Sequence, residues 1–174
     1  MVKIVTYPNQ ILSKKSERVT NFDHQLRDFI ASMHVSMFTA NGIGLAANQI
    51  GDKRDIFVVF MPDTGKGYTF VNPKIGSTEG ECEMTEGCLS FPGQAINLKR
   101  PSKVFIKAQD SYGKPFSLEA DGLLARCILH EMDHLNGTTF LDRLRGEGDA
   151  YPQQYKRDNR PRQHSGKKAF QKTS

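Results

Sequence analysis

Residues 121–135, Asp-Gly-Leu-Leu-Ala-Arg-Cys-Ile-Leu-His-Glu-Met-Asp-His-Leu, leave little freedom in how this chain folds. Asp121 can cap a helix start and Asn136-Gly137 supplies a stop. Between them Leu123, Cys127, His130 and His134 fall at i, i+4, i+7 and i+11, so they share one helix face. Two imidazoles four residues apart can reach one metal ion, and Glu131 beside the first can move the proton of a bound water. A face that is apolar at one end and metal-ligating at the other needs a pocket above it. The helix is therefore expected at the centre of the fold.

The rest of the chain can build such a centre. Its 174 residues are 37% hydrophobic and 25% charged, which suits one globular domain with a real core. No apolar run is long enough for a membrane span, and Met1–Pro8 lacks the pattern of a signal peptide, so a cytoplasmic location is expected. Cys82, Cys88 and Cys127 are an odd set, which points to a reducing compartment rather than a disulfide framework. The net charge of +5 is concentrated late, at Lys156, Arg157, Arg160, Arg162, Lys167, Lys168 and Lys172. A catalytic domain over 1–146 and a flexible basic tail over 147–174 follow, with no sequence-specific nucleic-acid binding expected.

Phe22, Leu26, Phe29, Ile30, Met33 and Met37 recur at helical spacing between Asn21 and Ala40. Asp55–Phe60, Tyr68–Val71 and Gly76–Met84 read as extended, and Lys103–Gln109 turns through Asp110-Ser111-Tyr112-Gly113 into Pro115–Leu118 as a hairpin. The expected class is α+β, with antiparallel sheets packed around the metal-binding helix.

A catalytic metal site needs a third protein ligand. His164 lies in the basic tail, and Glu147 sits between glycines soon after the helix. Cys88, in Glu86-Gly87-Cys88-Leu89-Ser90, is better placed beside a small residue and offers a strong thiolate ligand. Cys82 reads as a small buried hydrophobe, and Cys127 as one that lines the pocket. Gly42 and Gly44 also fit a phosphate loop, but no Gly-Lys-Ser/Thr ending follows them.

Gly42-Ile43-Gly44-Leu45-Ala46-Ala47-Asn48-Gln49, Glu86-Gly87-Cys88-Leu89-Ser90 and His130-Glu131-Met132-Asp133-His134 resemble, in that order, the three signature motifs of the peptide deformylase family. The similarity runs to about Leu144 and is closest to the compact bacterial type. The resemblance implies a hydrolase that removes the formyl group from the formyl-methionine end of nascent polypeptides, releasing formate. It implies Cys88, His130 and His134 as metal ligands, with Fe2+ the usual ion and Zn2+, Ni2+ or Co2+ also accepted. Glu131 would carry protons, and the Gln49 carboxamide and Leu89 backbone N–H would stabilise an oxyanion. Backbone around Ile43 and Gly44 would pair with the peptide, while Leu123, Cys127 and Gly87 would form the methionine pocket. Apart from the resemblance, Asp133 faces away from the metal stripe, where it is either solvated or paired with a basic group such as Arg100 that orients the helix.

Two positions depart from the common bacterial pattern. Leu129 stands where many relatives have glutamine, and Ala95 where some have arginine. Neither is a ligand, so activity is expected, with altered rate or peptide preference. A peptidase acting on internal bonds, and a deformylase-like module that binds ribosomes through the basic tail without turnover, are the competing readings.

Overall fold

The computed structural model describes residues 2–153. One helix, α1 (His24–Thr39), precedes strands β1 (Gly44–Ala46), β2 (Ile56–Met61) and β3 (Lys66–Glu79). Strands β4 (Cys82–Cys88), β5 (Phe91–Arg100), β6 (Lys103–Gln109) and β7 (Pro115–Asp121) follow, then α2 (Gly122–Leu135) and a short α3 (Phe140–Leu144). The strands form a five-stranded antiparallel sheet in the order β1-β2-β3-β6-β7 and a separate β4-β5 ribbon.

Period-two alternation explains why Ile56-Phe57-Val58-Val59-Phe60-Met61 is almost wholly apolar. Phe57, Val59 and Met61 pack towards α2, with Ile106, Ile128 and Leu129. Ile56 and Val58 pack on the opposite side, against Leu26, Ile30, Met33 and Met37 of α1. The sheet is thus covered on both faces in this region, and α2 is central: every residue from Ala125 to Leu135 is buried. Asp23 starts α1 by accepting from the Leu26 N–H at 2.9 Å. Asp121 occupies the equivalent position on α2 but makes no side-chain cap bond, contrary to expectation.

The expected hairpin is β6-β7, with Val104, Ile106 and Ala108 inward. The two short segments expected at 68–71 and 76–84 are instead the single long β3 and the start of β4. Cys82 is exposed rather than buried, because β4 pairs only with β5 and turns that side chain to solvent. Leu129 is core and fully enclosed, and Ala95 is exposed on β5 opposite Gly87.

The stretch expected to be tail from residue 147 packs onto the domain at its start. The Thr78 N–H donates to the Pro152 carbonyl at 2.6 Å, and Tyr151 sits half-buried against the core around α2. Its aromatic ring provides apolar area that the surrounding polar composition conceals. The tail beyond Gln153 lies outside the described residues.

Candidate active site

A cleft of about 750 Å³ opens between α2, β1 and the β4-β5 ribbon. Ile43, Gly44, Gln49, Gly87, Cys88, Leu89, Leu123, Cys127, His130 and Glu131 line it, which brings together residues separated by some 90 positions in sequence. His134, one turn beyond His130, completes the group. Cys88, His130 and His134 each offer a ligand atom, and those atoms all lie within 4.8 Å of one another.

Each donor is aimed by its neighbours. His130 Nδ1 donates to Glu86 Oε2 at 2.8 Å, which leaves Nε2 free to act as a ligand. His134 Nε2 stands 3.2 Å from Cys88 Sγ, while its buried Nδ1 has no partner among the described residues. The Asn48 side chain holds the His134 carbonyl at 2.6 Å. Two imidazoles and a sulfur converging in a buried corner suit a divalent first-row metal. Burial opposes charge on His130, yet hydrogen bonds to Cys88 and Glu86 carry its pKa up to about 10. His134 is pushed well down, by burial first and then by the charge on His130. The surroundings thus push the two rings in opposite directions.

Glu131 is buried, and its Oε2 has no partner among the described residues. Burial raises its pKa to about 7, against the lowering effects of His130 and Arg100. A carboxylate poised near neutrality beside a metal-ligating cluster is equipped for proton transfer. A Cβ on Gly44 would run into this carboxylate, so only glycine lets the β1 backbone come so close.

Gln49 lies in the tight turn Ala47–Ile50 that follows β1. Its Oε1 accepts from the Ala46 N–H at 2.9 Å, and that contact fixes which way the amide faces. The NH2 group is turned towards Ser90 Oγ at 3.2 Å and Cys88 Sγ at 3.6 Å. Leu89 lines the same corner and crowds the Cα of Gly42. Cys127 is buried in the wall and its thiol is pushed up to about 12, chiefly by burial, so it stays neutral. Leu123 is 41% exposed at the rim and is therefore not core.

The peptide edge differs in one detail from expectation. The Phe60 N–H already donates to the Ile43 carbonyl at 2.8 Å. Bonds alternate along an antiparallel ladder, so Gly44, the next residue, turns its own N–H and C=O towards the open edge of β1.

Four residues around the site, of which Glu86 and Arg126 also line the cleft, have no role assigned from the sequence. Glu86 accepts from Arg100 through Nε at 2.6 Å and Nη2 at 3.0 Å, from Arg126 at 2.8 Å, and from His130. The expected Asp133–Arg100 pair is present at 2.6 Å and buried, with Arg143 and Tyr151 also on Asp133. Glu86 stood inside a quoted motif, which was the one available signal for it. Arg126, Arg143 and Tyr151 had none, because their partners lie far off in sequence.

A buried helix bearing His-Glu-x-x-His, a strand cysteine whose sulfur converges with both imidazoles, and a cleft carboxylate with an oxygen unpartnered among the described residues fit a metal-dependent hydrolase. Comparison with known proteins narrows the class. Residues 1–149 match the family described as Polypeptide deformylase. The chain is 47% identical over 143 residues to the peptide deformylase of Caldicellulosiruptor bescii, spanning 82% of this chain and 84% of that one. Among solved structures it resembles a peptide deformylase from Legionella pneumophila, with TM-score 0.80, 42% identity and coverage of 82% and 85% of the two chains. It is also similar to the Synechococcus elongatus peptide deformylase in complex with actinonin, with TM-score 0.79, 39% identity and coverage of 82% and 79%. The chain belongs to the polypeptide deformylase family, metal-dependent amide hydrolases that remove the N-formyl group from nascent polypeptides.

Proposed function

We propose that Cys88, His130 and His134 hold one divalent metal, ferrous iron in the cell, and that Glu131 is the proton carrier of the deformylation reaction. The observation that carries this reading is the meeting of three convergent donor atoms and an unpartnered buried carboxylate at a cleft bordered by an open strand edge. When bound, the metal acidifies a water and polarises the formyl carbonyl.

The chain's own groups supply the rest. Gly44 pairs through its free N–H and C=O with the extended peptide, adding a strand to β1. Ile43 packs beneath this edge, and Gly87, Leu123 and Cys127 wall the methionine side chain. Glu131 takes the proton of the attacking water and delivers it to the departing amine, which would otherwise be a poor leaving group. The Gln49 NH2 and the Leu89 N–H face the oxygen on which negative charge develops. The catalytic domain spans 1–146, with Tyr151 and its neighbours docked on it. The enzyme works in the cytoplasm, and the basic residues after Gln153 suit a salt-sensitive contact with ribosomal RNA as chains emerge.

The test is release of formate from formyl-Met-Ala-Ser by protein purified without oxygen and loaded with Fe(II) or Ni(II). Release is expected from the wild type and not from Glu131→Ala, with no cleavage of the unformylated peptide. No release under any metal loading overturns the proposal. Cleavage of internal bonds would indicate a peptidase instead.

A further inference from the structure

We propose that Tyr151 is a positioning residue for the metal-ligating face of α2, acting through Arg100 and Glu86 on His130. The inference rests on the ligand assignment proposed above and concerns a residue two positions beyond the end of the family match at 149.

The chain of contacts is continuous. The Tyr151 hydroxyl accepts from Arg100 Nη1 at 2.6 Å and donates to the Asp133 carboxylate, 3.1 Å from both oxygens. Through Nε and Nη2, the same guanidinium grips both oxygens of Glu86, and Glu86 Oε2 holds His130 Nδ1. Arg100 is planar and buried, so its two edges cannot move independently. A tilt at the Tyr151 edge therefore becomes a tilt at the Glu86 edge, and Glu86 fixes the plane of the His130 ring. The hydroxyl stands between a cation and an anion and satisfies both, which no apolar replacement can do.

Tyr151 is itself held from two sides. The Arg143 guanidinium lies 4.3 Å from its ring centroid and also binds Asp133. On the other side the chain is pinned where the Thr78 N–H and hydroxyl both donate to the Pro152 carbonyl. A residue that only filled space would need neither the paired hydroxyl nor the double anchorage.

The test is Tyr151→Phe in the full chain, titrated with Co(II) alone and followed by the thiolate-to-cobalt and d–d absorption bands. The expected result is a Kd for Co(II) raised about fivefold to tenfold, a shift of the d–d bands, and kcat lowered about threefold at unchanged KM. A variant with the wild-type Kd and spectrum, altered only in Tm, overturns the inference. Should Tyr151→Phe not fold, Arg143→Lys is the second variant; it weakens the stack on the ring and should shift the same bands in the same direction by less. Unchanged bands there overturn the inference equally. A wild-type protein that takes up no Co(II) would instead sink the ligand assignment, so the two failures are distinguishable.

Discussion

Glu131 and Asp133 are both carboxylates on α2, both buried, and two residues apart, yet their surroundings are opposite. Two residues turn a helix by about 200°, so one faces the cleft and the other the rear of the helix. Among the described residues Glu131 Oε2 has no partner, nor has Nδ1 of His134 on the same face. Asp133 receives Arg100, Arg143 and Tyr151, with both oxygens engaged. Of the two carboxylates on the helix, the one facing the cleft is left able to react, whereas the one at the rear is saturated and holds its neighbours in place. The helix thus separates chemistry from support by rotation alone.

The sharpest probe of that separation is Glu131→Gln. The amide keeps the size of the side chain but cannot accept and return a proton, so kcat should fall by about 10²–10⁴-fold, the usual contribution of a general acid–base group. Urea denaturation at neutral pH should show stability raised, since the cost of ionising a buried carboxylate is removed. A variant that loses stability and keeps its turnover would reverse the roles assigned to the two faces.

Asp133→Asn should do the opposite. Removing one charge from a buried, paired cluster costs about 3–5 kcal/mol, because Arg143 and Arg100 lose their compensation. The folded fraction should still turn over formyl peptide within tenfold of wild type. Urea midpoints and initial rates on the same samples separate these effects, and equal stability of the variant and wild type would refute the assignment of the rear cluster.

The pH dependence of stability should also divide between two carboxylates. Glu86, in the cleft wall beneath His130, is buried, yet hydrogen bonds from His130 and Arg100 hold it well below 4.5. Its contribution is therefore complete above pH 4.5 and drains away as pH falls. Glu131 at the front runs the other way, because its pKa is raised from 4.5 to about 7. The folded protein keeps that proton while the unfolded chain loses it, so the contribution of this group declines as pH rises from 4.5 to 7, by on the order of 3 kcal/mol in metal-free protein, against the opposite contribution of His134, whose lowered pKa adds stability up to 6.5. Glu131→Gln should remove this decline from the neutral limb and leave the acid limb intact. An unaltered neutral limb would show that Glu131 is not the group held protonated.

The two faces were not equally legible in the sequence. The front is carried by short motifs: a helical spacing puts His130 and His134 together, and the small residue beside Cys88 lets a ligand approach it closely. The supporting cluster depends on pairings that cross the chain, such as Glu86 with His130, 44 residues apart, and Arg100 with Tyr151, 51 apart. Only Asp133–Arg100 was anticipated, from the direction in which Asp133 leaves the helix. In the fold, β2 and the β6-β7 hairpin were readable from apolar runs and a turn, whereas β5 was not. Pro92, Gly93, Gln94, Asn97 and Lys99 interrupt its pattern, and its main partner is the ribbon strand β4. Tyr151 was hidden by the basic composition around it, although one aromatic ring is enough to dock a strap.

The smallest expected effect lies at the rim of the front face. Leu123 is partly exposed, so Leu123→Ala should change stability by less than about 0.5 kcal/mol. If it walls the methionine side chain, truncation removes apolar contact of roughly 1 kcal/mol, which corresponds to about a fivefold rise in KM. The contact is the same in bound substrate and transition state, so kcat should not move. Steady-state rates with formyl-Met-Ala-Ser read both quantities at once. A fall in kcat with unchanged KM would place Leu123 in support of the reacting groups rather than in the pocket wall. Front and rear would then no longer be separated as cleanly at the first turn of α2 as they are at Glu131 and Asp133.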